Sequence, residues 1–185
     1  MIEDTLRDAE AKMSRAVEVA KEEFSGIRTG RANPALVNRL IVDYYGAPTP
    51  LQQLASIATQ EARLLVVSPY DRNASAAIEK AIRNSDLGIN PANDGQVIRL
   101  AFPPLTEERR KEYVRLAKQR AEDARTSVRN VRRHSKEELA RLEKDAEISQ
   151  DEQRRAEQRL QQLTDKYVAE VDSLLQRKEQ ELLEV

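Results

Sequence analysis

The sequence contains no cysteine, and this absence excludes several kinds of chemistry at once. Without thiols we expect no disulfide, no thiolate nucleophile and no cysteine-ligated metal, and a reducing compartment suits such a chain. Histidine is scarce too, since His134 is the single one and stands between Arg133 and Ser135 with no second His or serine motif to work with. We therefore interpret His134 as a bystander, and we predict no metal site.

Other signals of catalysis and of targeting are also missing. The segment "GIRTGR" is neither a P-loop nor a dinucleotide fingerprint, and the carboxylates stand three or four residues from Lys or Arg, which is typical of solvated helix faces. The sequence thus predicts a protein that is not an enzyme and has no cofactor. The charged N-terminal segment is no secretory signal, and no apolar run approaches the length of about 20 residues that spans a bilayer. We expect a cytoplasmic protein without membrane contact.

Proline and glycine are unevenly distributed along the chain. All seven prolines lie between Pro34 and Pro104, and no glycine follows Gly95. Because both residues interrupt helices, the pattern predicts a helix, then a turn-rich insert, then long helices.

Three apolar stripes with steps of three and four residues predict the helices. Thr106 is placed to cap the second helix, and Ser149 followed by Glu152 has capping-box spacing at the start of the third. Each stripe covers one face, so the helices need partners, and we predict a three-helix bundle from residues 1–29 and 106–185. Intermolecular coiled-coil pairing is the alternative. The stripes are Ile2, Leu6, Ala9, Met13, Ala16, Ala20, Phe24, Ile27; Tyr113, Ala117, Ala121, Ala124, Val128, Val131, Leu139, Leu142; and Ala156, Leu160, Leu163, Tyr167, Val171, Leu174, Leu182.

Residues 30–105 are predicted to form a small inserted α/β domain. "NRLIVDYYGAPTPL", "EARLLVVSPY" and "NDGQVIRLAF" have strand and turn signals, and "NASAAIEKAIRNS" has those of a short helix. The predicted fold class is therefore α+β, with an elongated three-helix bundle and an inserted small α/β domain.

The two chain segments that join these domains are candidate hinges near 29–31 and 103–106. The first segment contains a glycine and the second contains two prolines, so neither is expected to continue a regular helix. A rigid turn packed against the bundle is the alternative interpretation. The residues concerned are Thr29, Gly30, Arg31, Pro103, Pro104 and Leu105.

Positive charge is concentrated in one part of a nearly neutral chain. Residues 109–136 hold eleven Lys or Arg against three Asp or Glu, although the net charge of the whole chain is −1. A basic row, formed by Lys118, Arg125, Arg129, Arg132 and Lys136, follows helical spacing one residue behind the core stripe, and Arg133 adjoins it. An arginine can contact two phosphate oxygens at once, so the row indicates binding to the backbone of folded RNA or a duplex. A solvated helix face is the alternative.

Several long motifs resemble the ribosome recycling factor family. They are "IRTGRANPALV", "YYGAPTPLQQLA", "DLGINPANDGQVIRLAFPPLTEERRKEY" and "VRNVRR", and they follow the family order along essentially the whole chain. The resemblance implies a two-domain molecule with a bent, transfer-RNA-like outline. It also implies a non-enzymatic factor that binds the large ribosomal subunit after termination and separates the subunits with elongation factor G and GTP.

The resemblance further implies which arginines rest on ribosomal RNA. By matching motifs these are Arg28, Arg31, Arg129, Arg132 and Arg133, to which the basic row adds Arg125. Spacing alone does not place Arg28 beside Arg132, so one continuous patch stays open. We expect a monomer. The other candidate functions are a helical scaffold that uses the acidic last helix, and a nonspecific nucleic-acid-binding protein.

Overall fold

The computed structural model describes residues 1–184. Within this range the chain forms helices and antiparallel strands, with 3₁₀ turns at Pro34–Leu36 and Arg72–Ala74. In chain order the elements are α1 (Ile2–Ser25), β1 (Ile41–Tyr44), β2 (Ala47–Pro50), α2 (Leu51–Leu54), β3 (Ala55–Glu61), β4 (Leu64–Pro69), α3 (Ser75–Arg83), β5 (Ala92–Asn93), β6 (Ile98–Ala101), α4 (Glu107–Lys144) and α5 (Gln150–Leu183).

The chain separates into two compact units. The first contains Met1–Phe24 and Val114–Gln180, and the second contains Ser25–Tyr113 together with residues 181–184. The chain passes between the units three times, within α1, α4 and α5, because each of these helices contributes residues to both. The domain boundaries at 29/30 and 105/106 therefore stay predictions. The same holds for the two hinges.

The first unit is the predicted helix bundle, built from the apolar faces of α1, α4 and α5. Small residues dominate the buried face of α4, whereas larger side chains come from the other two helices. The buried residues of these segments include Leu6, Ala9, Met13, Val17, Ala20, Phe24, Ala117, Ala121, Ala124, Val128, Leu139, Leu142, Ala156, Leu160, Tyr167 and Val171. Burial of these stripes supplies most of the driving force for three helices that are otherwise highly charged.

Both predicted helix starts are confirmed. The backbone N–H of Arg109 donates to Thr106 Oγ1 at 3.1 Å, so Thr106 caps α4. At α5 the Ser149 N–H donates to Glu152 Oε1 at 3.2 Å, and the Glu152 N–H donates to Ser149 Oγ at 3.1 Å. This reciprocal pair is a capping box, and it fixes the register of the helix that packs beside α4.

The second unit contains two antiparallel sheets and α3 around a separate core. β1 and β2 form a hairpin whose turn residues, Tyr45 and Gly46, both have positive φ. The other sheet has the order β3-β4-β6-β5. The core of the second unit includes Val42, Leu51, Leu65, Val67, Ile78, Ile82, Ile98 and Leu100. The predicted α+β class with a bundle and an inserted small domain is confirmed.

Some details of the stripes and strands were predicted wrongly. Val17 rather than Ala16 is buried in α1, and in α5 Thr164 and Lys178 are buried while Leu163 and Leu174 are partly exposed. Thr164 satisfies its hydroxyl by donating to Leu160 O at 2.9 Å, which is why a polar residue fits there. The strands β2, β3 and β5 lack apolar alternation and are largely exposed, so hydrophobic periodicity missed them.

Candidate nucleic-acid interface

The basic row lies along α4, beside the face that packs into the bundle. From Lys118 to Lys136 it extends for about 27 Å at the 1.5 Å rise of an α-helix. Lys118, Arg129 and Lys136 are exposed, whereas Arg125 and Arg132 are partly buried. A single continuous helix therefore holds several cations at regular spacing, which suits contact with successive phosphates.

Arg125 is occupied by two carboxylates and is the least available member of the row. Its Nε donates to Asp172 Oδ1 on α5 at 2.7 Å, and its Nη1 donates to Glu122 Oε2 at 3.0 Å. Burial disfavours the charged guanidinium, but the hydrogen bonds to Asp172 and Glu122 outweigh this and raise the pKa of Arg125. With only 18% of its side chain exposed, Arg125 ties α4 to α5.

Arg129 is more open. Its Nη1 lies 3.5 Å from Glu122 Oε1, and both side chains are 54% exposed. An exposed ion pair of this length contributes little to stability, about 0 to 1 kcal/mol, so its exchange for a phosphate costs little. Glu122 thus contacts two neighbouring arginines, one on each carboxylate oxygen.

Arg132 meets a neutral partner instead of a carboxylate. Its Nη1 donates to Gln161 Oε1 on α5 at 3.5 Å, a long hydrogen bond. Arg133, Lys118 and Lys136 are exposed, and the part of the chain that the structure describes shows no ion-pair partner for them. These four residues keep their full positive charge toward solvent.

Arg28 belongs to the other compact unit and is used within the fold. Its Nη2 donates to the carbonyl oxygen of Pro103, and its guanidinium carbon lies 5.7 Å from the centre of the Phe102 ring. The Nε of Arg28 is buried and has no partner among the described residues. Arg28 therefore joins the segment that follows α1 to the segment that precedes α4, and these are the two predicted hinge segments.

Arg31 is exposed, and Nη2 lies 4.0 Å from Glu184 Oε2. The Arg31 N–H donates to Thr29 Oγ1 at 3.3 Å, and Gly30 lies between them in an irregular segment. Pro103 and Pro104 are exposed, whereas Leu105 is partly buried.

The structure divides the six predicted RNA-binding arginines by unit. Arg125, Arg129, Arg132 and Arg133 share one face region of α4 in the bundle, whereas Arg28 and Arg31 lie in the second unit. Residue spacing left open whether the two groups form one patch, and that question stays open.

The contacts that orient these arginines were missed at the sequence level. The spacing of Glu122 and Arg125 at i and i+3 is a readable signal of an ion pair. Asp172 and Gln161, in contrast, lie 47 and 29 residues from their partners, so only the packing of α5 on α4 brings them close.

The single histidine and the carboxylates of residues 1–184 were the remaining candidates for a catalytic or metal-binding site. His134 is exposed, and its Nδ1 lies 3.7 Å from Glu137 Oε2. Among residues 1–184 no group of three or more His, Asp or Glu side chains is arranged to hold a metal ion. The helices of residues 1–184 provide no candidate membrane span.

Comparison with known proteins identifies the family. The model of a family described as Ribosome recycling factor matches residues 20–183. Ribosome-recycling factors from Kineococcus radiotolerans and Acidothermus cellulolyticus are 60% and 58% identical to this chain over 185 residues, and the matches cover 100% of each chain. The chain belongs to the ribosome recycling factor family.

Solved structures of ribosome recycling factors have the same fold. One solution structure has a TM-score of 0.80 and 48% identity, and the match covers 100% of this chain and 98% of that chain. A second structure has a TM-score of 0.71 and 46% identity, with full coverage of both chains. It describes the Thermus thermophilus ribosome recycling factor and Escherichia coli elongation factor G bound to the E. coli post-termination complex. The resemblance noted from the sequence motifs is confirmed.

Proposed function

We propose that this chain recycles ribosomes after termination. It binds the post-termination ribosome and, with elongation factor G and GTP, separates the two subunits. The full-length identity of 57–60% to several ribosome-recycling factors carries this proposal. A relative with 46% identity bound to the post-termination complex together with elongation factor G supports both partners.

The factor is not an enzyme, as its family membership implies. Elongation factor G supplies the GTP hydrolysis, and this chain contributes a shaped, charged surface. We place it in the cytoplasm, where ribosomes work, and expect it to act as a monomer.

We assign the main contact with ribosomal RNA to the free cations of α4. Arg129, Arg132 and Arg133 are the leading residues. Arg129 is weakly paired with a carboxylate, Arg132 contacts a neutral amide, and Arg133 has no ion-pair partner in the described chain. Arg31 is a further candidate, since its contact with Glu184 is long. Arg28 and Arg125 are weaker candidates, because RNA contact would require them to give up hydrogen bonds that hold the fold together.

Salt-dependent binding to purified large ribosomal subunits tests this assignment. Arg132→Ala should weaken binding and lower the slope of log K against log salt by about one unit, because one phosphate contact is lost. Its melting temperature should stay near that of the wild type, since the loss of a partly exposed charge opens no cavity. Arg132→Lys should restore part of the affinity, because a point charge cannot make a two-pronged contact.

Arg7→Ala is the matched control for Arg132→Ala. Arg7 lies on α1 in the same unit and is 80% exposed, so its removal subtracts the same charge away from the basic row. Both variants should then be tested for subunit splitting with elongation factor G and GTP. Equal binding and equal salt slopes for the two variants would mean that the row is a solvated face. Displacement of the factor by bulk duplex DNA would favour nonspecific nucleic-acid binding instead.

A further inference from the structure

Arg132 is connected through α5 to a chain of two polar side chains. Arg132 Nη1 donates to Gln161 Oε1 at 3.5 Å, and Gln161 Nε2 donates to Asp165 Oδ1 at 2.9 Å. Gln161 and Asp165 stand at i and i+4, so they are neighbours on one face of α5. All three residues belong to the bundle unit.

Asp165 determines which way the Gln161 amide points. A carboxylate only accepts hydrogen bonds, so the amide NH₂ group must face it. The amide oxygen is then turned to the other side, where it accepts from Arg132. The order of donors and acceptors is therefore consistent from Asp165 through Gln161 to Arg132.

The chemical nature of this partner distinguishes Arg132 from its neighbours in the row. Arg125 and Arg129 contact carboxylates, which cancel part of their charge. A neutral amide orients a guanidinium and leaves its full charge for another anion. The contact is also long, so a phosphate displaces it more readily than it would displace the paired carboxylates of Arg125.

We propose that Gln161, held by Asp165, is a positioning residue that pre-orients the guanidinium of Arg132 toward ribosomal RNA phosphate. This inference rests on the proposed function, because it requires Arg132 to contact RNA. A free arginine side chain loses rotamer freedom when it is immobilised at an interface, and pre-orientation lowers that loss. Gln161 thus acts on affinity through Arg132, without itself touching RNA.

A double-mutant cycle on binding to purified large ribosomal subunits tests the inference. Gln161→Leu should weaken binding by roughly threefold to tenfold, the range that corresponds to ordering one long side chain. In an Arg132→Ala background the same change should have no effect, since the guanidinium that Gln161 orients is gone. Gln158→Leu is the matched control, because Gln158 is exposed on the same helix and makes no hydrogen bond to the row within residues 1–184. It should change binding less than twofold in both backgrounds.

Gln161→Glu provides a second, independent variant. It keeps the size of the side chain but gives Arg132 a carboxylate partner, so binding should fall at least as far as with Gln161→Leu. Thermal melting of each variant verifies folding, and because Gln161 is exposed neither change opens a cavity.

The outcomes separate this inference from the proposed function. If Arg132→Ala weakens binding but Gln161→Leu does not, the positioning role is wrong and the RNA contact stands. If Gln161→Leu weakens binding equally with and without Arg132, Gln161 acts by another route and the inference also fails. If Arg132→Ala itself binds normally, the assignment of the RNA contact fails, and the positioning role fails with it.

Discussion

At the scale of single residues, the partner of each arginine determines what its charge can do. Arg125 donates hydrogen bonds to two carboxylates, and Arg132 donates one to a neutral amide. Arg28 donates to a backbone carbonyl and lies over an aromatic ring. The sequence placed Arg125 and Arg132 on a helix, as the structure has them, whereas Arg28 follows the end of α1. It did not distinguish the arginines that stabilise the fold from those with free charge, because their partners lie far away along the chain.

We expect Arg125→Ala to affect stability more than RNA binding. The change removes the hydrogen bonds that join α4 to α5 and leaves Asp172 without its partner, so the free energy of unfolding should fall by about 1 to 2 kcal/mol. Urea denaturation measures this loss. Arg133→Ala is the control, and as an exposed residue it should stay within about 0.5 kcal/mol of the wild type.

A different result would reassign Arg125. If Arg125→Ala unfolds at the wild-type urea concentration yet binds ribosomes as weakly as Arg132→Ala, then Arg125 exchanges its carboxylates for phosphate and belongs to the contact surface.

At the scale of elements, the long helices were predictable, whereas the short helix α2 and several strands were not. Periodicity and caps located α1, α4 and α5 because each helix has one apolar face and local start signals such as Thr106 and Ser149. The edge strand β3 was missed, because apart from its first residue, Ala55, its side chains are mostly exposed and its pairing with β4 is non-local. Sheet pairing depends on partners elsewhere in the chain, and no single stretch of sequence reports them.

A strained residue follows the C-terminal end of α4. Ala146 has φ of 56°, and its N–H donates to Glu143 O at 2.9 Å, while the Glu147 N–H donates to Leu142 O at 2.9 Å. This is the hydrogen-bond pattern of a Schellman motif, in which glycine is preferred at the left-handed position. Alanine there bears the steric cost of its Cβ.

We therefore expect Ala146→Gly to stabilise the protein by about 0.5 to 1 kcal/mol. The relief of strain exceeds the extra entropy that glycine gives the unfolded chain. Ala140→Gly is the matched control, because Ala140 is exposed in the interior of α4. It should destabilise the protein by about 1 kcal/mol. Urea unfolding of both variants measures the change in the free energy of unfolding, which should be positive for Ala146→Gly and negative for Ala140→Gly. A loss of stability for Ala146→Gly similar to that for Ala140→Gly would mean that the turn is not strained.

At the scale of the whole molecule, the three passages between units were not foreseen. The sequence pattern predicted two connecting segments, both marked by Gly or Pro. The compact units divide within helices, and the last residues of α5 belong to the second unit. A continuous amphipathic helix has no local signal for such a division, since its apolar stripe continues across the dividing point.

Gly30 lies in one of the two predicted hinge segments. In this structure a Cβ at Gly30 would lie 3.5 Å from Glu184 O, an ordinary contact, and the residue has no positive φ. Gly30→Val should therefore fold with the wild-type helical circular dichroism. If the segment must change its backbone conformation during recycling, a β-branched residue will restrict that change, so subunit splitting should fall more than ribosome binding.

The absence of cysteine makes the motion directly measurable. Lys12→Cys and Gln60→Cys, exposed in the first and second units, accept a donor and an acceptor dye for fluorescence energy transfer. Ala58→Val, an exposed strand position in the second unit, is the control for adding a β-branched residue and should split ribosomes at the wild-type rate. The hinge would be supported if Gly30→Val, but not Ala58→Val, narrows the distribution of energy-transfer efficiencies and slows subunit splitting. Narrower distributions with unchanged splitting would show that this motion is not required for recycling.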